Sequence, residues 1–186
     1  DIYFNSEIID IISEYMNCNT NIGQIMPRIV NYDNEVQYLC KLIPTPFDLL
    51  IKRFLPNSIK EINSYKFQLK FTNYNDIMEA PYLSGCFMFF RVSALEKIGL
   101  FDETFFMYPE DIDITRRMNE KYSTIYFPRV SVTHCHAAES YKNYKMLLIH
   151  ISNIIKYFNK WGWFFDKKRR LTNKRILSQL HYTKRK

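Results

Sequence analysis

The chain has 186 residues, 47% of them hydrophobic and 17% aromatic, with four Gly and seven Pro. That composition excludes a disordered, collagen-like or low-complexity chain, and the length suits one domain with a core of useful size. The net charge of +7 is unevenly placed: residues 141–186 carry 13 Lys and Arg against one acid, Asp166, a net +12, whereas residues 1–140 carry 13 against 18, a net −5. An acidic body with a basic tail predicts a body that performs chemistry and a tail that meets something anionic. No run of about 18 uncharged apolar residues occurs, so no transmembrane helix is expected, and no signal peptide is expected at the start. The first residue is Asp, not Met, so the chain is expected to be a piece of a longer protein. Cys18, Cys40, Cys86 and Cys135 are widely spaced without a CxxC pair, which reads as reduced thiols in a cytosolic protein.

In chain order, residues 5–16 place Ile8, Ile9, Ile12 and Tyr15 on a helical stripe, with Asn5 or Ser6 as the cap. Residues 22–31 read as a buried strand interrupted by Pro27, 32–35 as a turn, and 36–40 as a second short strand. Residues 44–55 read as a helix opened by a proline. Residues 56–80 are polar and lack a clean period, and are expected to form a long excursion. The most apolar run is 82–91. A helix over 93–99 follows, with Ser93 and Glu96 as a capping box and Gly99 as its stop. Residues 101–111 form a turn rich in aromatics, 110–121 an amphipathic helix, and 123–128 and 130–135 two strands. The tail from about 141 is helical, broken at Trp161-Gly162-Trp163. The fold class is mixed α/β without the regular alternation that would complete a doubly wound sheet. Two parts are expected: a body, 1–140, and a basic amphipathic helical extension, 141–186.

Three features carry chemistry. Glu110-Asp111-Ile112-Asp113 puts three carboxylates in four residues behind Phe105-Phe106-Met107-Tyr108. A helix start relieves part of their repulsion, and a carboxylate under aromatic rings can acquire a raised pKa and act as a general base. Asp113 faces Arg117 at i,i+4 and is read as structural, which leaves Glu110 and Asp111 as candidates; the alternative is a plain acidic helix start. His134 ends a strand and His136 shares its face, so His134 with a carboxylate from elsewhere is a candidate divalent-metal site, or else a hydrogen-bonded structural histidine. Ser84-Gly85-Cys86 heads the apolar run, where a Gly marks either close approach of a backbone or ligand, or a simple bulge.

Together these segments resemble the inverting family 2 glycosyltransferases of the GT-A fold, in particular the rhamnosyltransferase-like enzymes of bacterial surface-polysaccharide synthesis. The matching pattern is "SGCFMFFRVSALEKIGLFDETFFMYPEDIDITRR" followed by "YFPRVSVTH", dense over 82–140 and loose over 1–55. The resemblance implies a partial GT-A, Rossmann-like fold and transfer of a sugar from a nucleotide-diphosphate donor to a glycan acceptor, with inversion. It implies Asp111 as the catalytic base and Glu110 as a residue that orients the acceptor. Ser84, Gly85 and Cys86 would lie in the substrate loop. Asp1, matching the last aspartate of a "D-x-D" motif, and His134 would hold Mg²⁺ or Mn²⁺. It further implies that the family's first, nucleotide-binding half precedes Asp1, so that the fragment alone is expected to be inactive. The chain departs from the pattern at "CHAAES", which lacks the family's glycines, at Lys121, and at Asp33-Asn34.

The tail interleaves apolar, aromatic and basic residues, with Trp161, Trp163, Phe164 and Phe165 ahead of "KKRR". This predicts an interfacial helix on an anionic membrane, hence a cytoplasmic protein peripheral to the inner face of the cell membrane, close to a lipid-linked acceptor. The competing reading is a helix whose apolar face packs on the body. Nucleic-acid binding is not expected, because no recognition motif accompanies the charge. The alternative to an enzyme is a non-catalytic fragment that binds glycan or membrane.

Overall fold

The computed structural model describes residues 1–51, 57–134 and 144–183. Two long strands run parallel at its centre, β2 (Ile22–Val30) and β7 (Ser123–His134). The far edge of β7 takes β1 (Ile2–Tyr3) near its C-terminal end and β4 (Met78–Glu79) near its start. The far edge of β2 takes β6 (Phe89–Phe90). The last three pairings are antiparallel. A second, two-stranded ladder joins β3 (Cys40–Lys41) to β5 (Tyr82–Leu83), with Lys41 opposite Tyr82.

β2 is buried almost throughout, as expected of a parallel strand covered on both faces. Helix α1 (Glu7–Cys18) lays Ile8, Ile12 and Met16 on the sheet. Helix α4 (Glu110–Asn119) covers β2 near Gly23, where an added Cβ would collide with Met118 Sδ and meet Tyr122 Cβ at 2.8 Å. Only a glycine lets the helix approach that closely. Helix α3 (Val92–Ile98) precedes α4, and Gly99 ends it at φ +84°.

Several sequence expectations are corrected. The stretch 123–134 is one strand: Pro27 pairs with Phe127 and Arg28 with Ser131, so a bulge at 128–130 absorbs Pro128 without ending the ladder. The apolar run 82–91 is split into β5 and β6. The capping box at Ser93 is absent. Arg91 is the N-cap of α3, and no side chain caps that end; its guanidinium instead bonds the carbonyls of Met16, Asn19 and Ile22. The supposed excursion 56–80 contains helix α2 (Asn57–Phe67), a 3₁₀ turn at Lys70–Thr72, and β4. The Tyr74 hydroxyl, fully buried, accepts from Cys40 N–H (2.9 Å) and lies 2.7 Å from the carbonyls of Cys40 and Gln68. It thereby ties this segment to β3. Between 44 and 51 the chain forms a short π-helical turn, Phe47–Ile51. The remainder of the predicted 44–55 helix lies outside the described residues.

The tail forms two helices, α5 (Tyr144–Trp161) and α6 (Lys167–Gln179), separated at Gly162 (φ +99°). Ile154, Tyr157 and Phe158 of α5 form a core cluster with Tyr82, Phe105 and Ile112. From α6, Ile176 enters the main core, and Asn173 exchanges two 2.9 Å hydrogen bonds with the backbone of Ile43. Asp166 makes a buried 2.6 Å ion pair with Arg116 of α4 and caps α6 through Arg169 N–H at 2.9 Å. The apolar face of the tail therefore packs on the body, as the competing reading required. Among the described residues no helix is long and apolar enough to cross a membrane.

Candidate active site

The start of α4 points its acids in different directions. Asp113 is fully buried and saturated: Arg117 Nε at 2.8 Å, Lys160 Nζ at 2.8 Å and Trp161 Nε1 at 2.7 Å all donate to it. It is a structural anchor between α4 and α5, as its i,i+4 spacing from Arg117 predicts. Asp111 lies on another side of the helix, 7% exposed, with no cationic hydrogen-bond partner among the described residues. Its Oδ2 accepts from Gly85 N–H at 2.8 Å and from the Tyr82 hydroxyl at 3.3 Å, and its Oδ1 accepts from Ile112 N–H at 2.7 Å.

Burial, and then the neighbouring Glu110 charge, push the Asp111 carboxyl up to about 7. The amides of Gly85 and Ile112 and the charge of Lys41 pull partly the other way. A carboxylate poised near neutrality is suited to accept a proton at physiological pH. The Glu110 carboxyl is also raised by burial, and its Oε2 is buried without a hydrogen-bond partner among the described residues. Such an atom is costly until a donor reaches it.

Gly85 sits against Asp111 because nothing larger fits easily: a Cβ there would lie 3.2 Å from Asp111 Cβ. The neighbour at Gly85 is the Asp111 side chain, neither a backbone nor a ligand. Cys86 accompanies it, its thiol pushed up to about 11 by burial and held by a bond with Ser84.

Two residues of the site escaped the sequence reading. Tyr82 touches Asp111 and has its own phenol driven well up by burial and then by the Asp111 charge. Lys41, opposite Tyr82 in the β3–β5 ladder, holds its ammonium 4.8 Å from the Tyr82 ring. Burial lowers its pKa, and the Asp111 charge raises it in part. The available signal was a lone cation inside the apolar run from Leu39 to Ile43. A third support is α5: Asn153 donates to Met107 O at 3.0 Å, and His150 stacks on Tyr108 with ring centres 4.2 Å apart. Tyr108 has φ +82°, a strained conformation for a residue with a side chain, held just ahead of Glu110.

Asp1 and His134 lie at the same end of the sheet. Ile2 pairs with His134, so Asp1 is the next residue beyond the last pair of the β1–β7 ladder. Gln37 Nε2 donates to the His134 carbonyl at 2.6 Å, and its Oε1 lies 3.5 Å from His134 Nδ1. A carboxylate and an imidazole suit a divalent cation chemically. Among the described residues no group of three or more His, Cys, Asp or Glu gathers there. His136 lies outside the described residues. The Phe4–Phe87 ring contact, 5.5 Å between centres, links this end to the loop that touches Asp111. A cleft of about 650 Å³ lies instead at the other end of α4, and Asp111 does not line it.

No family model matches the chain, and no solved structure matches it. Among curated proteins, the N-acetylglucosaminyl-diphospho-decaprenol L-rhamnosyltransferases of two Mycobacterium tuberculosis strains are each 40% identical to it over 60 residues. The aligned stretch is 32% of this chain and 19% of those relatives, so the chain spans about a fifth of their length. The likeness is confined to that stretch, and the fold itself is mixed α/β.

Proposed function

We propose that the chain is the acceptor-side part of an inverting GT-A glycosyltransferase of surface-polysaccharide synthesis. It moves a sugar, of the rhamnosyl or hexosyl class, from a nucleotide-diphosphate donor to a lipid-linked glycan. The observation that carries the reading is Asp111: a buried carboxyl raised to about 7, bound by two backbone amides and a phenol and, among the described residues, not paired with arginine. Asp111 removes the proton of the acceptor hydroxyl as that oxygen bonds to the anomeric carbon. The bond from that carbon to the diphosphate breaks, and its electron pair leaves with the nucleoside diphosphate. Glu110, with its unpartnered oxygen, takes a hydrogen bond from the acceptor. The loop of Ser84, Gly85 and Cys86 forms the wall between acceptor and diphosphate. Lys41 draws the pKa of the base down in part.

Asp1 and His134 are the residues that would hold Mg²⁺ or Mn²⁺. When bound, the cation neutralises charge on the leaving diphosphate, the part that a second carboxyl plays in glycosidases. The protein works at the inner face of the cell membrane, held peripherally by its basic tail, where a lipid-linked acceptor is presented. The test is sugar transfer by the intact protein from a panel of nucleotide sugars to a polyprenyl-diphosphate-linked acceptor. Release of nucleoside diphosphate that requires acceptor supports the reading. Absence of acceptor-dependent release with every donor, in a folded protein, contradicts it.

A further inference from the structure

The tail meets the body through one set of residues and leaves another set facing water. On α6 the inward face is Arg169, Asn173 and Ile176. The outward face, at helical spacing, is Lys167, Arg170, Leu171 and Lys174, all exposed. Neither α5 nor α6 contains an acid, and Asp166 between them is consumed by Arg116 and the helix cap. Four cations crowd the first turn of α6 against the helix dipole: Arg169 is held inward and Lys168 pairs with Glu120 at 3.0 Å, while Lys167 and Arg170 face water. Immediately ahead of them, Phe164 is 75% exposed and Phe165 is fully exposed. The apolar surface continues from Phe164 and Trp163 into a cleft walled by Pro46, Phe47 and Leu50. The tip is anchored at both ends: Trp163 packs on Phe158 at 5.2 Å, and Asp166 is locked to Arg116.

We propose that this tip, Trp163 to Phe165, together with the outward cations of α6, is the surface that docks on an anionic bilayer. The two phenylalanines enter the interfacial layer and Lys167, Arg170 and Lys174 meet lipid phosphates. The apolar face of α5 takes no part, because Ile154, Tyr157 and Phe158 are already buried in the body. The inference rests on the membrane association in the proposed function and specifies which atoms make the contact. A rigid aromatic tip costs little ordering entropy on insertion, unlike a tail that must first fold.

The experiment is co-sedimentation of the intact chain with vesicles of phosphatidylcholine alone or with 30% phosphatidylglycerol, where 30% is roughly the anionic fraction that gives a strong surface potential. Wild type is expected to bind the anionic vesicles at least tenfold more tightly than the neutral ones, and to release at high salt. The Phe164→Ser/Phe165→Ser pair and the Lys167→Gln/Arg170→Gln/Lys174→Gln triple should each weaken binding about tenfold or more while leaving circular dichroism and thermal melting unchanged. Brominated lipids should quench tryptophan emission in wild type and not in the phenylalanine pair variant. Both sets of substituted residues are exposed and lie outside the proposed catalytic machinery, so acceptor-dependent turnover of a soluble acceptor should persist in them. Equal vesicle binding by wild type and the phenylalanine variant, binding indifferent to lipid charge, or binding to single-stranded nucleic acid but not to vesicles would each overturn the proposal. None of these outcomes would touch the transferase assignment, which the turnover assay judges separately.

Discussion

The backbone amide of Gly85 and the carboxylate of Asp111 are 2.8 Å apart, and the space between them does not hold a methyl group without displacement. One residue thus fixes the orientation of the other. Gly85→Ala should push the loop off α4 and lengthen this bond. A stability loss of about 1–2 kcal/mol is expected in thermal denaturation. The Asp111 carboxyl should titrate higher, because a bond that favours its charged form is weakened. Carboxyl carbon NMR on labelled protein reads that titration.

Asp111 also makes stability depend on pH. Its ordinary pKa of 3.8 rises to about 7 in the fold. Between those values the unfolded chain has released the proton and the folded chain has kept it. Stability contributed by the protonated carboxyl is therefore full below about pH 4, is lost as pH rises toward 7, and stays lost above. Asp111→Asn removes the buried charge. The variant should exceed wild type at pH 8 by roughly 2–4 kcal/mol and show little gain near pH 4. Urea unfolding of both proteins at the two pH values checks it.

Lys41 lies on the same account with the opposite sign. Its charge lowers the Asp111 pKa. Lys41→Met should move the acid limb of the pH–rate profile upward by about half to one pH unit, and Lys41→Arg should restore it in large part. A change in rate with no displacement of the profile would make Lys41 a packing residue only. The other groups facing Asp111 are Glu110, Tyr82 and Cys86, which remain unchanged in this pair of variants.

The Arg116–Asp166 pair couples the tail to the catalytic helix. Both side chains are buried, so removing one strands the other. Asp166→Ala should cost about 3–5 kcal/mol, since it also deletes the cap of α6. Asp166→Asn, able to keep the cap, should cost less. Calorimetry on the three proteins gives the order.

Much of the site was legible because its spacing is local. Asp113 and Arg117 sit one turn apart, so their pairing could be read from the residues. Gly85 stood out because a glycine at the head of an apolar run needs a reason. Tyr82 and Lys41 were not legible: their meeting depends on the register of a two-residue ladder between segments far apart in the chain. Helix α2 was missed because its polar sequence carries a weak period, and its buried side shows at Phe67, at its very end. The bulge in β7 was hidden by Pro128, which looks like a strand end until its partner strand is seen to run on past it. The partner of the tail's apolar face was also invisible, since a membrane and the body present the same apolar demand to that sequence.

The central claim is that Asp111 takes a proton from the acceptor. It is tested most directly by Asp111→Asn in the intact protein, with acceptor-dependent transfer and donor binding measured on the same sample. The variant should fold and bind the nucleotide-sugar donor with affinity within about twofold of wild type, while transfer falls by roughly 10²–10⁴. Transfer retained within a few-fold of wild type would contradict the assignment.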